Sequence, residues 1–243
     1  MYTPEEILEQ TAATAVVKVN KPLFTKLILG FIGGAMISLG YLAYLRVGGG
    51  FVGAAVFPVG LIVILLAGGE LITGNMMAVA VGYFKQRVTL KELLNNWVVI
   101  TLANLVGAIF VAYVFGVLAG TLTTGDALKE ALHVTQAKLN ANFLTAFCSG
   151  MGCNWFVGLA VWLSYGAKDF SGKILAIWFP VMTFVVIGFQ HSVANSFLIH
   201  YENFVRHATW WDFLNNFVPV YLGNVVGGAI LIALFYSLAY RKH

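Results

Sequence analysis

Charged side chains are scarce in this chain. Only 10% of its 243 residues are Asp, Glu, Lys or Arg, whereas 60% are hydrophobic. A water-soluble domain cannot bury that much apolar surface, so the shortage of charge excludes a soluble globular protein and predicts that lipid surrounds the fold. The formal net charge is +4, and we assign most of it to anchoring at the inner leaflet rather than to nucleic-acid binding.

Cysteine is almost absent too, and so are the motifs of enzyme active sites. The two cysteines, Cys148 and Cys153, lie in one predicted helix at a spacing that turns them away from each other, so we expect neither a disulfide nor a metal site. The sequence contains no metal-ligand spacing, no nucleophile elbow and no phosphate-binding loop. We therefore expect neither an enzyme nor a bound cofactor.

What the chain does contain is long uncharged stretches. A helix needs about 20 apolar residues to cross a membrane. Uncharged runs occupy residues 27–45, 47–69, 93–125, 139–167, 174–190 and 213–240, and residues 71–84 and 192–201 extend two of these runs beyond a polar interruption. The pattern predicts an all-α integral membrane protein with six transmembrane helices, of which the second and the fifth are interrupted.

An internal repeat relates the two halves of the chain. Residues 92–108 read ELLNNWVVITLANLVGA, and residues 212–228, at an offset of 120, read DFLNNFVPVYLGNVVGG. Eight of the sixteen positions from 93 to 108 match. Each repeat, about 24–120 and about 144–240, holds three spans. Because three is an odd number, the second copy must enter the membrane upside down, as is usual in transporters and channels.

The two ends of the chain are expected on the same side. Residues 1–26 are polar and precede a single channel domain at 27–243; their Thr3-Pro4-Glu5-Glu6 pattern predicts a capped cytoplasmic helix at the membrane surface. A solvated leader without a role in transport is the alternative. With both termini in the cytoplasm, ten Lys and Arg residues lie inside and four outside, which satisfies the positive-inside rule for a prokaryotic-type plasma (inner) membrane.

The first interruption lies at residues 67–75. Gly68 lowers the cost of leaving the helix. Glu70 is the only acidic residue between Glu9 and Glu92, and a charge at membrane depth usually faces protein or a wet cavity. We expect the Glu70 carboxylate to accept hydrogen bonds from loop amides and to hold the shape of the loop, since a fixed negative charge would repel an anion.

The second interruption, residues 188–196, is the repeat partner of the first. It again combines a glycine, Gly188, with polar residues, and Asn195 stands where the first loop has Asn75. Asn is a strong N-cap, so we expect both asparagines to cap the half-helices that follow. Such N-termini direct partial positive charge towards a pathway near the bilayer midplane, which favours an anion over a cation.

His191 is the one histidine well inside a span. A lone histidine on an apolar face is more often a hydrogen-bonded core residue. Here, however, it stands in an interrupted helix beside Ser192 and opposite Thr73, which favours a place in a pathway. A neutral imidazole can donate a hydrogen bond, or pass a proton, near physiological pH.

Three motifs together resemble the formate/nitrite transporter family, which includes formate, nitrite and hydrosulfide channels. They are GGELITGN in the second span, CNWFVGLAVW at 153–162 and GFQHSVANSF at 188–197, and the likeness covers nearly the whole chain. The resemblance implies an aquaporin-like protomer with a 3+3 inverted repeat. It also implies a homopentamer with one pore per subunit.

The resemblance further implies roles for single residues. The family's central polar pair corresponds to Thr73 and His191, its pore-facing asparagine to Asn154 and its basic residue at the outer vestibule to Lys138. Its hydrophobic constrictions correspond to Phe57, Leu61, Leu71, Ile72, Val157, Phe184 and Phe189. One position departs from the pattern: Gln190 stands where the family usually has Glu, which removes a charge that would favour imidazolium and alters the expected pH response of the histidine.

These features predict a channel or transporter for small monovalent weak-acid anions. Formate is the first candidate, with nitrite or hydrosulfide close behind, and the flux is expected to depend on pH through His191 and to be linked to protons. Two alternatives stay open: a facilitator of water or small neutral solutes, and an ion-coupled symporter with Glu70 as a cation ligand. Neither interrupted segment contains the proline of the aquaporin Asn-Pro-Ala motif.

Overall fold

The computed structural model describes residues 1–205 and 207–240, and within these ranges the chain forms ten helices. We number them α1 (Pro4–Asn20), α2 (Leu23–Arg46), α3 (Gly50–Gly68), α4 (Ile72–Phe84), α5 (Leu90–Leu118), α6 (Gly125–Leu139), α7 (Phe143–Gly166), α8 (Phe170–Ile187), α9 (Ser192–Phe204) and α10 (Trp210–Ala239).

Six of the helices in this part of the chain are long and apolar enough to cross a membrane: α2, α3, α5, α7, α8 and α10. The two shortest helices, α4 and α9, each have 13 residues and follow α3 and α8 after breaks of a few residues. The second span is therefore α3 plus α4, and the fifth is α8 plus α9. This confirms the predicted architecture of six spans with two interrupted helices.

Wide π-helical turns occur in three of the spans. They occupy Ile64–Gly68 at the end of α3, Val111–Leu118 at the end of α5 and Val226–Leu234 within α10. The first of these turns leads directly into the break between α3 and α4. Insertions of this kind loosen the backbone ladder of a helix and are frequent at functional sites.

Close helix contacts follow the repeat. Helix α2 packs along α5, and its equivalent α7 packs along α10. A Cβ atom added at Gly107 of α5 would lie 2.2 Å from the carbonyl oxygen of Phe31, and one added at Gly227 of α10 would lie 2.3 Å from that of Met151. Both the glycines and the carbonyls they face are 120 residues apart, so the same glycine contact is built twice.

The two repeats meet at a pseudo-twofold axis. Thr101 of α5 and Tyr221 of α10 are equivalent positions, and their hydroxyl groups hydrogen-bond to each other at 2.9 Å. Two equivalent residues can touch in this way only near the axis that relates them. The largest group of buried apolar side chains lies around this axis and includes residues of both interrupted spans, among them Phe57, Ile72, Phe184 and Phe197.

The N-terminal helix is packed against the protein. Thr3 and Glu6 form the predicted capping box at its start. Its face with Ile7, Leu8, Ala12 and Ala15 is buried in a cluster with residues of α4 and α7. Helix α1 is thus more than a solvated leader. Its repeat equivalent is α6, which packs against α9 and the loop-side ends of α2 and α10.

An exposed apolar stripe runs along the outside of each repeat. On α5 it consists of Leu94, Val98, Leu102 and Val106, and on α10 the equivalent positions Leu214, Val218 and Leu222 are exposed as well. The spacing of four residues places each set on one helix face. Surfaces of this kind are suited to lipid or to a neighbouring subunit, because neither requires polar side chains.

Candidate functional site

The break between α3 and α4 is held by one asparagine of α5. Gly68 has φ of +101°, which turns the chain out of the helix. The side chain of Asn104 then hydrogen-bonds to backbone groups that have no helical partner at the break. Its Oδ1 accepts from the backbone N–H of Ile72 at 2.8 Å. Its Nδ2 donates to the carbonyl oxygens of Gly30 at 2.6 Å and Glu70 at 2.8 Å.

The break between α8 and α9 is held in the same way. Gly188 has φ of +85°. Asn224 of α10 accepts from the backbone N–H of Ser192 at 3.0 Å and donates to the carbonyl oxygens of Gly150 at 2.7 Å and Gln190 at 3.3 Å. Each partner lies 120 residues after its counterpart in the first break. The repeat is therefore a repeat of hydrogen bonds as well as of sequence.

A second layer of amides supports each break. Asn75 donates to the Glu70 carboxylate at 2.8 Å and to Asn96 Oδ1 at 3.0 Å, and Asn96 in turn reaches the carbonyl oxygen of Lys18 at 3.5 Å. The expectation that Asn75 caps the half-helix is wrong. It lies inside the first turn of α4, whose N-cap is Leu71.

The corresponding layer around the second break has the same connections. Asn195 donates to Gln190 Oε1 at 2.7 Å and to Asn216 Oδ1 at 2.9 Å, and Asn216 donates to the carbonyl oxygen of Lys138 at 3.1 Å. The predicted N-cap role of Asn195 is also wrong, because the N-cap of α9 is His191, whose Nδ1 accepts from the backbone N–H of Ala194 at 3.3 Å. The two asparagines position residue 70 or 190 instead.

Thr73 and His191 join the two breaks at the centre of the protein. The hydroxyl of Thr73, in the first turn of α4, lies 3.0 Å from Nε2 of His191 at the start of α9. Both side chains are almost fully buried. The structure thus brings together the two residues that the resemblance implies as a central pair, one from each repeat.

A cavity of about 240 Å³ opens on one side of this pair, and we call it the outer cavity because the predicted orientation of the chain places it outside. Its polar lining includes His133, Lys138, Gln190, His191 and Asn195. Its aromatic lining includes Tyr41, Tyr44, Phe57, Phe184 and Phe189. Phe57 and Phe184 touch edge to face with ring centroids 5.9 Å apart, and Phe184 stacks on the imidazole at 6.3 Å. Aromatic rings therefore close around His191.

The cavity next to α1 is much smaller. It measures about 10 Å³ and is lined by Leu61, Leu71, Gly74 and Tyr165 among others, together with Lys18. A space of this size holds about one water molecule. Leu71 and Gly74 flank the central pair's Thr73 in the chain, so the two cavities lie near the pair and differ sharply in volume.

The remaining residues that the resemblance implies as pathway residues lie in packed surroundings. Ile72 and Val157 are buried in the core next to these cavities. Asn154 lines neither cavity: its Nδ2 donates to the carbonyl oxygen of Asn224 at 2.6 Å and contacts the sulfur of Met76. Its place in the pathway stays a prediction.

Glu70 is neutralised by lysines rather than by loop amides. Its carboxylate pairs with Lys18 at 2.8 Å and with Lys21 at 3.2 Å, and its side chain is only 3% exposed. Lys18 belongs to α1, so this ion pair ties the N-terminal helix to the first break. The amide of Asn75 is one of the amide donors expected for this carboxylate, whereas the two lysine partners were not expected, and together they let Glu70 hold the break.

Lys138 is the repeat equivalent of Lys18, yet its surroundings differ. Within residues 1–205 and 207–240 it forms no ion pair. Its ammonium lies 5.9 Å from the centre of the Tyr41 ring, within the range of a cation–π contact. Burial lowers the pKa of Lys138 to about 8, so the side chain is still mostly charged at neutral pH.

The side chain of Gln190 does not address the imidazole. Its Oε1 accepts from Asn195 at 2.7 Å and from Asn216 at 2.8 Å. Asn216 also donates to the backbone carbonyl oxygen of Lys138, so these hydrogen bonds connect Gln190 to α6.

Sequence reasoning did not identify the amides and the lysine that hold the breaks: Lys18, Asn96, Asn104, Asn216 and Asn224. A signal for them was present. The asparagines are among the residues that match between the repeats, and an offset of 120 also pairs Lys18 with Lys138. A comparison of polar residues 120 positions apart, outside the interrupted segments, would have identified these five residues.

Comparisons with known proteins agree with this architecture. The family model described as "Formate/nitrite transporter" matches residues 5–238. The chain is 50% identical to the formate channel BtFdhC of Bacillus thuringiensis over 99% of this chain and 96% of that protein. Among solved structures, an FNT family ion channel superposes with a TM-score of 0.89 at 28% identity, covering 96% of this chain and 98% of the other. A pentameric formate channel with formate bound superposes with a TM-score of 0.77 at 28% identity, covering 90% and 98%.

The asparagine network generates a first prediction, on stability. Replacement of Asn224 by Ala leaves the N–H of Ser192 and the carbonyl oxygen of Gly150 buried without their partner. Each such group costs about 1–3 kcal/mol, so Asn224→Ala is expected to lower the Tm of the purified protein in detergent. Asn215→Ala, an exposed position on the same helix, is the control. Equal Tm values for the two variants would contradict a supporting role of Asn224.

The ion pair of Glu70 generates a second prediction, on the mobility of α1. Glu70→Gln introduces the side chain that Gln190 has at the equivalent position of the second break, so the amide hydrogen bonds should be kept. The substitution removes the counter-ion of Lys18 and Lys21. Hydrogen–deuterium exchange in the last turns of α1 is expected to become faster by about tenfold, corresponding to a loss of about 1.4 kcal/mol. Glu5→Gln, on the exposed face of α1, should leave exchange unchanged. Unaltered exchange in Glu70→Gln would show that packing alone holds α1.

Proposed function

Because the chain belongs to the formate/nitrite transporter family, we propose that it is a channel for small monovalent weak-acid anions, with formate as the first substrate and nitrite or hydrosulfide next. The observation that carries this proposal is the contact of Thr73 and His191 at 3.0 Å, between a wide cavity and a narrow one. The similarity to formate channels supports formate as the first substrate.

The outer cavity is suited to collecting anions. Lys138 is its one aliphatic ammonium group among the described residues, and no Asp or Glu of that set lines it. A cation in a cavity with low-dielectric walls raises the local concentration of anions. Burial of the lysine strengthens this effect, because less water screens the charge.

The central pair is arranged to offer a hydrogen bond to an anion. Since Nδ1 of His191 accepts from the N–H of Ala194, the hydrogen of the neutral ring sits on Nε2 and is donated to the oxygen of Thr73. The Thr73 hydroxyl hydrogen is then available to a solute in the pathway. The N-termini of α4 and α9 meet at this point and add partial positive charge.

The narrow inner side limits what can pass with its hydration shell. A cavity of about 10 Å³ lined by Leu61 and Leu71 offers no room for an anion together with several waters. A bare charge in such surroundings costs several kcal/mol. A weak-acid anion avoids most of this cost if it takes up a proton beside His191 and crosses as the neutral acid. Flux of this kind depends on pH and is linked to protons.

Assembly and orientation belong to the same proposal. The pentameric state of the structurally similar formate channel and the exposed apolar stripes on α5 and α10 support a homopentamer with one pathway per subunit. The distribution of Lys and Arg supports a prokaryotic-type plasma membrane with both termini in the cytoplasm.

Two other functions can be tested against this one. A facilitator of neutral solutes would make proteoliposomes swell in glycerol without carrying formate. A symporter with Glu70 as cation ligand would accumulate formate against its gradient when Na⁺ is supplied. The pairing of Glu70 with Lys18 and Lys21 argues against the symporter, because its carboxylate already has two cations.

A third prediction concerns His191. Replacement of His191 by Phe removes the donor to Thr73 and is expected to abolish formate flux or its response to pH, measured in proteoliposomes between pH 5 and 8. His200→Phe is the control, since His200 is buried against Trp210 and Phe213 and lines neither cavity. Formate flux that stays unchanged in His191→Phe across this pH range would refute the role of the imidazole.

A fourth prediction concerns the pH response of the outer cavity. Burial lowers the pKa of Lys138 to about 8, so its positive charge is present below pH 8 and is lost as the pH rises through that value. Arginine stays charged throughout. The ratio of formate uptake by Lys138→Arg to uptake by the original protein is therefore expected to rise roughly 3- to 10-fold between pH 7 and 9.

Taking this ratio cancels the effect of formate protonation, which is the same for both proteins. The control is Lys129→Arg, since Lys129 is exposed and paired with Asp126; its ratio should stay flat. A flat ratio for Lys138→Arg as well would contradict a titrating cation in the outer cavity.

A further inference from the structure

At the two ends of the pathway, the three positions that the repeat relates carry the same summed charge by different means. On the inner side, Lys18 and Lys21 pair with Glu70, so two positive charges and one negative charge leave one positive charge. On the outer side the equivalent positions are Lys138, Ala141 and Gln190. One positive charge and two neutral residues again leave one positive charge.

The equivalence of these positions rests on the hydrogen bonds of the repeat. Asn96 and Asn216 reach the carbonyl oxygens of Lys18 and Lys138, and Asn104 and Asn224 reach those of Gly30 and Gly150. An offset of 120 relates the positions before residues 21 and 141 and also the positions after them. Ala141 is therefore the repeat equivalent of Lys21. Residues 70 and 190 are held by Asn75 and Asn195 in the same way.

The inner mouth shows what a carboxylate does in this geometry. Glu70 lies 2.8 Å from the ammonium of Lys18 and binds it as an ion pair. A glutamate at position 190 would meet Lys138 from the equivalent place on the repeat. Without a second lysine at position 141, the pair would leave the outer mouth with no net charge.

We propose that Gln190, together with Ala141, keeps Lys138 free of a counter-ion and so sets how readily anions occupy the outer cavity. This inference rests on the proposed function and specifies how its outer mouth is tuned. Gln190 acts as a positioning residue. It preserves the amide network through Asn195 and Asn216 while contributing no charge, and the charge that acts on the anion is that of Lys138.

The test places the residues of the inner end, Glu and Lys, at the equivalent outer positions 190 and 141. Gln190→Glu should raise the external formate concentration that gives half-maximal uptake by roughly 3- to 10-fold. Uptake by Gln190→Glu should also depend less on ionic strength, because salt weakens the attraction of an anion to an unpaired charge more than its attraction to an ion pair. The measurement uses right-side-out vesicles with radiolabelled formate outside.

The double variant Gln190→Glu with Ala141→Lys is the matched control. It rebuilds the inner arrangement at the outer mouth and restores one positive charge, so half-maximal uptake should return to within about twofold of the original value. A merely structural effect of Gln190→Glu would not be reversed by a lysine at position 141. Lys138→Gln removes the same charge by another route and should give the same shift as Gln190→Glu.

The outcomes separate this inference from the proposed function. Absence of formate flux in the original protein would defeat the proposed function. Formate flux in the original protein with an unshifted half-maximal concentration in Gln190→Glu or in Lys138→Gln would overturn the inference alone. A double variant that stays as weak as Gln190→Glu would overturn it too. If Gln190→Glu does not reach the membrane, Lys138→Gln decides by itself.

Discussion

Two membrane helices of this chain stop half-way, and each stop opens backbone N–H and C=O groups in surroundings without bulk water. Such groups must find partners inside the protein, because each unpaired one is costly. Asn104 and Asn224 meet this requirement by bonding the first N–H of the following half-helix and two carbonyl oxygens. Without these two amides, the unpaired backbone groups would destabilise both breaks. The cavities and the central pair therefore depend on Asn104 and Asn224.

The scaffold is symmetric, whereas the site is not. The asparagine amides of the two repeats make nearly the same hydrogen bonds. At the centre, however, the repeat equivalent of Thr73 is Val193 and that of His191 is Leu71. Each repeat therefore supplies one polar residue to the centre and one apolar residue to a wall. The repeat accounts for the two half-helix N-termini that meet at the centre. The differences between its two copies account for the single Thr73–His191 pair and for the unequal volumes of the two cavities.

The same division explains the charges at the two mouths. Lys18 is used to bind α1 to the first break through Glu70, so the inner lysine has a structural task. Lys138 occupies the equivalent place, but Gln190 leaves it free to face the outer cavity. An identical side chain at equivalent positions thus holds a helix on one side and is available to a solute on the other.

The six spans, the inverted repeat and the positions of the two breaks could all be predicted from the amino-acid sequence. These follow from apolar length, an odd number of spans and glycine beside polar residues, all of which are local properties. The sequence also pointed to Thr73 and His191 through motif resemblance. Sequence reasoning misplaced Asn75 and Asn195 as caps and did not foresee the two lysine partners of Glu70, because partners from distant helices cannot be read from local spacing. The packing of distant helices was needed to show that Asn104 and Asn224 complete the breaks, that α1 is bound through Lys18, and that Gln190 accepts from Asn195 and Asn216. Those facts depend on distances between residues far apart in the chain, which are fixed when the helices pack.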